Sequence, residues 1–578
     1  MSYQAHYDRW LHSSALSPAE RQELEALAAD PSGLEDRFLG LLEFGTAGLR
    51  GVMGLGVNRM NVYVIRHATQ AFAQVIQKEG PAAAAQGIAI CYDCRVHSQE
   101  FAREAACVMA ANGIPVRLFS SMRPTPELSF AVREYGCIAG INVTASHNPP
   151  EYNGYKVYWS DGAQLPPQHA AAVAAEMEQL DVFDGVKTLP YEQALDQGLI
   201  TLMGQETDQR FLQHVLSQMH GQDSMAQVAD RFTMVYTPFH GTGYQQIPYV
   251  LEQLGVKRLH CVPEQMVIDG TFPTVKSPNP ETPESFALAE KLAKEVDADF
   301  ILGSDPDADR VAIQVKGPDG GYVQISGNQT GALLLDYIIQ VHQRLGTLPK
   351  DAVALKSIVT TDLSRKIAEA GGVRSYDTFT GFKFMAQKKN ELEAKGEGHV
   401  IFSYEESIGY MIGDYVRDKD AVTAALLLTE MAGYYAAQGM TLLDALEVLF
   451  QKHGYHGEET VNLMMPGLEG IAHRKALMAS LRAEPLVEVA GTPVLRRLDY
   501  QDGTEVEVSS GAVTSLALVG SDVLKYHLAD GTTFVVRPSG TEPKIKVYVL
   551  AVGKDQADCQ EKVSRYAAWA QELKKRLP

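Results

Sequence analysis

The sequence predicts an α/β protein: three mixed α/β domains of similar plan plus a smaller α+β C-terminal domain. Three observations carry this. A chain of 578 residues exceeds what one core can organise, and domains of roughly 100–200 residues imply three to five of them. Helix-period and strand-period stretches then alternate over most of the length, the pattern of helices layered on a mostly parallel sheet. The last stretch turns to β-rich alternation closed by a single helix. The boundaries read from these changes are 1–205, 206–325, 326–455 and 456–578.

Composition supplies the cores and restricts the partners. The apolar fraction is 45% and the charged fraction 21%, which leaves no sign of wholesale disorder. A formal charge of −20 opposes general binding to nucleic acid or to a membrane surface, since phosphate backbones and anionic lipids are repelled. An anionic small molecule therefore needs positive residues gathered locally. Met1 to Trp10 shows neither the basic nor the apolar region of a secretory signal, so a cytoplasmic setting is expected. The most apolar window, Ala421 to Met440, is interrupted by Thr423, Thr429, Glu430 and Gln438 and reads as a core helix. Six cysteines form no disulfide framework, and Cys91 and Cys94 lack the second pair of a zinc site.

In the first unit, residues 11–45 carry helical periodicity. Ser17, Pro18 and Glu20 stand as N-cap, N1 and N3 of a capping box. The glycine-rich loop Gly45–Gly51 follows. Its Arg50 can hold a phosphate in bidentate fashion, although for the loop taken alone a plain glycine turn with a solvated arginine is the favoured reading. Helices are then predicted near 64–79, 98–112 and 125–135, and strands at 87–92, 116–119 and 137–143. The last of these strands runs into Thr144-Ala145-Ser146-His147-Asn148-Pro149-Pro150. Two prolines stiffen this loop and fix its exit, so the Ser146 hydroxyl is held in place as a nucleophile or a phosphate carrier. It leaves a strand at the carboxyl end, where open α/β sheets bind their ligands. A turn at Asn153-Gly154 is expected to bring Lys156 back toward Ser146.

The polar stretch from 165 to 225 reads as helical and leads to the second unit, with strands at 232–237 and 258–262 and a helix ending at Leu254. Gly241-Thr242-Gly243 lacks the third glycine and the downstream acid of a dinucleotide site, and His240 reads as a packed turn residue. Two apolar strands flank Asp305-Pro306-Asp307-Ala308-Asp309-Arg310. Three carboxylates at alternate positions are costly unless a cation neutralises them, and hard oxygen donors select Mg²⁺, with Mn²⁺ and Ca²⁺ as alternatives. An EF-hand is excluded, because Arg310 stands at its glycine position and Lys316 at its glutamate position.

The third unit begins near Gly327, with helices at 328–343 and 361–370, a strand at 352–359 and the loop Thr378–Lys383. A strand over 397–403 leads to Tyr404-Glu405-Glu406-Ser407-Ile408-Gly409, whose carboxylates and hydroxyl can bond sugar hydroxyls. The final unit has strands at 512–518 and 532–537 and a helix over 555–575. Between strands, Arg537, Ser539, Gly540 and Thr541 offer donors that grip a phosphate without reacting with it. Taken singly, these loops are also explained as surface connections.

Taken in order, TASHNPP at 144–150, DPDADR at 305–310, EES at 405–407 and RPSGTEP at 537–543 resemble the functional loops of the α-D-phosphohexomutase superfamily, which includes phosphoglucomutases and phosphomannomutases. The resemblance spans nearly the whole chain. It implies four domains around a central cleft, with Ser146 as phosphoryl carrier and Mg²⁺ bound by its phosphate and by Asp305, Asp307 and Asp309. Arg50, His147, Lys156 and Arg310 would surround the transferring group. Glu405 and Ser407 would hold the sugar, Lys383 the sugar or its phosphate, and Arg537, Ser539, Gly540 and Thr541 the distal phosphate. The general base is left between Lys156 and another group.

The resemblance also implies sugar phosphates as substrates and a sugar 1,6-bisphosphate as intermediate and activator. Tyr404 departs from the family's usual glycine. Gly409-Tyr410 stands where bacterial phosphomannomutases often carry a histidine, which disfavours mannose. The long N-terminal arm and the loops around Lys383 and Glu405 are most similar to the branch of bacterial phosphoglucomutases and animal phosphopentomutase-like enzymes. The expected reaction interconverts glucose 1-phosphate and glucose 6-phosphate. Pentose or mannose phosphates are the alternatives, and a Mg²⁺-dependent sugar-phosphate phosphohydrolase is the alternative outside the class.

Overall fold

The computed structural model describes residues 2–45, 48–465, 467–539 and 544–576. It divides into two compact units: Met1–Thr330 with Phe382–Thr441, and Gly331–Gly381 with Leu442–Pro578.

The first unit opens with three helices, Tyr3–Leu11, Pro18–Leu27 and Pro31–Phe38. The Ser17 capping box forms as expected, with both reciprocal bonds present. Tyr7, Trp10, Leu24, Leu34 and Phe38 bury their apolar faces against Leu55, Val57 and Tyr63. The first sheet comprises β1 (Leu49–Val52), β2 (Ile88–Tyr92), β3 (Val116–Phe119), β4 (Ala139–Val143), β5 (Tyr152–Trp159) and β6 (Ile200–Met203), in the order β1-β5-β4-β2-β3-β6. Strands β4, β2, β3 and β6 run parallel, while on one edge β5 pairs antiparallel with β4 and β1 antiparallel with β5. β6 lies within the stretch expected to be only helical. Its Thr201 and Leu202 are exposed, and the strand exists because β3 supplies its hydrogen bonds.

Two expectations about the first sheet are corrected. Asn153 and Gly154 form no turn: they lie inside β5 and pair with Gly51 and Arg50 of β1. Glycine is needed at 154 because two strands converge on it, so that a Cβ there would sit 2.4 Å from the Thr144 carbonyl oxygen and 3.1 Å from that of Leu49. Arg50 likewise belongs to a strand, not to a flexible glycine loop, and Thr46 and Ala47 lie outside the described residues.

The second sheet repeats the plan with β7 (Thr233–Thr237), β8 (Arg258–Cys261), β9 (Phe300–Ser304), β10 (Val311–Lys316) and β11 (Tyr322–Ile325), in the order β11-β10-β9-β7-β8. β9, β7 and β8 are parallel, β10 pairs antiparallel with β9, and β11 pairs antiparallel with β10. The chain then enters the second unit with the parallel pair β12 (Ala352–Ser357) and β13 (Arg374–Thr378). It returns to the first for the helix Phe382–Lys395, which the sequence reading did not name, and the antiparallel pair β14 (His399–Glu405) and β15 (Gly409–Met411). The helix Ala421–Ala437 follows, buried nearly all round as expected of a core helix. No helix among the described residues is long and apolar enough to cross a membrane.

The second unit ends in an eight-stranded sheet: β16 (Tyr455–Met464), β17 (Glu488–Val489), β18 (Thr492–Asp499), β19 (Thr504–Glu507), β20 (Val513–Ser515), β21 (Leu524–Leu528), β22 (Thr533–Pro538) and β23 (Lys544–Gly553). The helix Gln556–Gln571 closes it, with Tyr566, Ala567 and Ala570 packed on Phe534, Val547 and Val549.

Candidate functional site

The three motif loops of the first unit share one construction. Each leaves the end of a strand and returns as its antiparallel neighbour: β4 to β5 around Ser146, β9 to β10 around Asp307, and β14 to β15 around Ser407. Each also holds one non-glycine residue at positive φ, namely Ser146 (52°), Ala308 (49°) and Ile408 (54°). Such backbone is strained by about 1–3 kcal/mol and persists only where its surroundings impose it.

At Ser146 those surroundings are explicit. The Ser146 amide donates to Thr144 Oγ1 at 2.8 Å, and its buried hydroxyl donates to Asp305 Oδ2 at 2.8 Å and lies 3.2 Å from His147 Nδ1. Burial, then the charges of Arg310 and Arg50, hold the His147 imidazole well below its ordinary range, so it is neutral. Arg50 Nη1 donates to Asn148 Oδ1 at 3.2 Å. Beneath the loop lies Arg95, absent from the sequence reading, whose guanidinium donates to the carbonyls of Ser146, Asn148, Pro149 and Tyr152.

Asp305, Asp307 and Asp309 are fully buried, and one oxygen from each lies within 4.8 Å of the others. Asp305 Oδ1 accepts the amides of Asp309 and Arg310, at 3.1 and 2.9 Å. Asp307 Oδ2 accepts Thr125 Oγ1 and Lys156 Nζ, both at 2.8 Å. Lys419 Nζ, a second residue missed in the sequence, lies 3.1 Å from Asp309 Oδ2 and 3.2 Å from Asp418 Oδ1. Burial and the charges of Asp307 and Asp309 push the Asp305 carboxyl well above its usual range. Burial also acts against the ionised forms of Asp307 and Asp309, but their cations prevail. Lys156 holds Asp307 down, and Lys419 and Lys156 outweigh the neighbouring Asp307 charge at Asp309.

The buried Oδ1 atoms of Asp307 and Asp309 accept no hydrogen bond among the described residues. Three buried carboxylates, two of them with an unspent oxygen and the third bonded to a serine hydroxyl, are a donor set for a small divalent cation.

Arg310 binds the third loop to this cluster. Its Nη1 donates to the Ser407 carbonyl at 3.1 Å, and Val311 N donates to Ile408 O at 3.2 Å. Burial works against the Arg310 charge, but Glu281, Asp309, Asp305 and Glu405 together raise it above its ordinary value. Glu405 is buried at the end of β14, facing Gly409 of β15. Lys383 is half-buried in the first turn of the helix Phe382–Lys395, its Nζ 4.9 Å from the Phe384 ring centre.

Ser146, His147, Lys156, Arg50, the three aspartates, Arg310, Ser407 and Glu405 are thus linked through one another within the first unit. Arg537 and Ser539 belong to the second, at the end of β22, where Arg537 Nη1 donates to the Tyr548 hydroxyl at 3.1 Å. Gly540 and Thr541 lie outside the described residues.

Comparison with known proteins gives consistent matches along the chain. Family models for phosphoglucomutase/phosphomannomutase match in order: alpha/beta/alpha domain I over residues 41–182, domain II over 209–320, domain III over 326–453 and the C-terminal domain over 495–563. A phosphoglucomutase of Staphylococcus epidermidis is 34% identical over 88% of this chain and 90% of its own length. One from Staphylococcus aureus is 34% identical over 92% and 94%. The fold is shared with the crystal structure of the open form of Paramecium parafusin, a phosphoglucomutase, at a TM-score of 0.65 and 17% identity over 93% of this chain and 95% of that one.

Proposed function

Because the chain belongs to the phosphoglucomutase/phosphomannomutase family, we propose that it is a phosphoglucomutase interconverting glucose 1-phosphate and glucose 6-phosphate through a phosphorylated Ser146 and glucose 1,6-bisphosphate. The observation that carries the reading is the 2.8 Å contact between the Ser146 hydroxyl and Asp305, inside a cluster of three buried carboxylates answered by Lys156 and Lys419. A serine there is a phosphate carrier supplied with charge from every side.

In the first half-reaction the free hydroxyl of the sugar phosphate attacks the phosphorus on Ser146. The Oγ–P bond breaks, and Ser146 leaves as a hydroxyl. In the second, the Ser146 hydroxyl attacks the other phosphate of the bisphosphate: the sugar O–P bond breaks, the sugar oxygen leaves as a hydroxyl, and the bond to Ser146 re-forms. Asp305, Asp307 and Asp309, with the phosphoserine, hold Mg²⁺ in this reading. When bound, the ion offsets the negative charge that gathers on the phosphoryl oxygens. Arg50, Lys156 and Arg310 stabilise the same oxygens, and His147, being neutral, orients the Ser146 oxygen. Glu405 and Ser407 hold sugar hydroxyls, while Lys383, Arg537, Ser539, Gly540 and Thr541 hold the sugar or its non-reacting phosphate.

Replacing Ser146→Ala is expected to lower kcat at least about 10⁴-fold, because no other group carries the phosphate. Intact-mass analysis of the purified wild type is expected to find a phosphorylated fraction on Ser146. Full activity in the alanine variant would exclude the mechanism. Turnover of glucose 1-phosphate is expected to exceed that of mannose and ribose 1-phosphates, and a strong ribose preference would transfer the assignment to a phosphopentomutase.

A further inference from the structure

The Ser146 loop cannot satisfy its own backbone. Pro149 and Pro150 carry no N–H, so its carbonyls outnumber its donors, and a buried carbonyl must find a partner elsewhere. That partner is chiefly Arg95, on the turn after β2. Its Nη1 donates to Pro149 O and Tyr152 O, both at 2.9 Å, and its Nη2 to Ser146 O at 2.7 Å and to Asn148 O. One planar guanidinium thus spends both terminal nitrogens on carbonyls at the reacting serine and on its downstream side.

Arg95 is itself fixed. It is fully buried, its Nε lies 3.5 Å from Asp93 Oδ2, its amide donates to Asp93 Oδ1 at 2.9 Å, and its guanidinium lies 5.0 Å from the Phe272 ring centre. A further carbonyl of the loop, that of His147, accepts Ser277 Oγ at 3.1 Å. Ser146 adopts φ 52°, a conformation a serine does not hold unaided.

We propose that Arg95 is the positioning residue of the phosphoryl transfer, holding the Ser146 loop in the conformation that presents Oγ to the carboxylate cluster. This deepens the mutase reading and rests on it. Arg95 is buried and spends both terminal nitrogens on backbone carbonyls, so its loss misplaces the reacting atom while the groups that hold the sugar phosphate stay as they are. A misplacement of about 1 Å lowers a rate about 10²-fold. A lysine keeps the charge beside Asp93 but offers one nitrogen where the loop uses two, and cannot reproduce the fork.

The experiment compares full-length wild type, Arg95→Lys and Arg95→Ala with glucose 1-phosphate as the probe. Folding is checked by thermal melting, affinity by titration calorimetry and turnover by steady-state kinetics. Both variants are expected to show kcat reduced about 100-fold, with the dissociation constant changed less than threefold. A folded variant with kcat within threefold of wild type overturns the proposal, as does a loss of affinity in step with the loss of kcat. If neither variant folds, amide exchange of the wild type decides. The Ser146, Asn148 and Tyr152 amides are expected to exchange as slowly as those of β4, and exchange as fast as the exposed Asp319 amide overturns the proposal. An inactive wild type would count against the mutase reading, whereas the exchange result concerns only how firmly the Ser146 loop is held.

Discussion

Lys383 differs from the other lysines of the site in what surrounds it. Burial pulls down the ammonium of all three, but Asp307 and Asp309 more than offset this at Lys156, and Asp309 and Asp418 do so at Lys419, so both are held above their ordinary value. At Lys383 burial acts without a counter-charge and lowers the ammonium to about 8. The folded state therefore disfavours the protonated form: the penalty to stability is full below about 8 and fades as pH rises toward the ordinary value of 10.5. An anionic phosphate is the partner that would relieve it. If Lys383 holds one, KM for glucose 1-phosphate rises as pH passes through about 8, while kcat changes little. Lys383→Arg, which stays protonated, removes that rise. A wild-type KM that is flat from pH 7 to 9 would remove Lys383 from the binding set.

At the scale of elements, one device recurs. The Ser146, Asp307 and Ser407 loops each turn between antiparallel neighbours, and β22 and β23, which flank the fourth motif, are antiparallel as well. In the first sheet the device depends on Gly154, over which the Thr144 and Leu49 carbonyls close. Gly154→Ala is expected to destabilise the protein by about 1–3 kcal/mol, the usual cost of forcing atoms into a packed site. It is also expected to lower activity, because the backbone that must yield at Thr144 leads into Ser146. Denaturant unfolding together with a mutase assay checks this, and unchanged stability would show that the strands separate freely. Here lies the limit of what a sequence displays. The three motif loops of the first unit are legible because each concentrates its chemistry within seven residues or fewer. Asn153-Gly154 misleads because the same dipeptide serves a two-residue turn and a crowded strand, and only the partner strands distinguish them. Arg95 and Lys419 are illegible because Arg95 grips a loop some 50 residues away and Lys419 an aspartate some 110 away, with no local pattern to mark either.

At the scale of the molecule, a chain of formal charge −20 binds anions only where cations are gathered, and Arg50, Arg95, Lys156, Arg310 and Lys419 are gathered around three buried aspartates. Periodicity in the sequence reveals the alternating layers. It does not reveal that Phe382–Thr441 belongs with the first unit while the segments on either side belong with the second, since tertiary packing alone decides that. The division has a thermodynamic consequence. Asp305, Asp307 and Asp309 all lie in the first unit, so a divalent cation that binds them stabilises that unit and not the other. At a free ion concentration about 100 times Kd the gain is about 2.7 kcal/mol. For a unit of this size that moves the melting temperature by about 3 °C, taking an unfolding entropy of about 2.1 cal/mol/K per residue. Calorimetric scans in EDTA and in excess Mg²⁺ are expected to show one transition shifting upward by this amount and another staying in place. Asp307→Asn together with Asp309→Asn should abolish the shift. A shift common to both transitions would mean that the two units unfold as one, and no shift at all would count against an ion at the carboxylates.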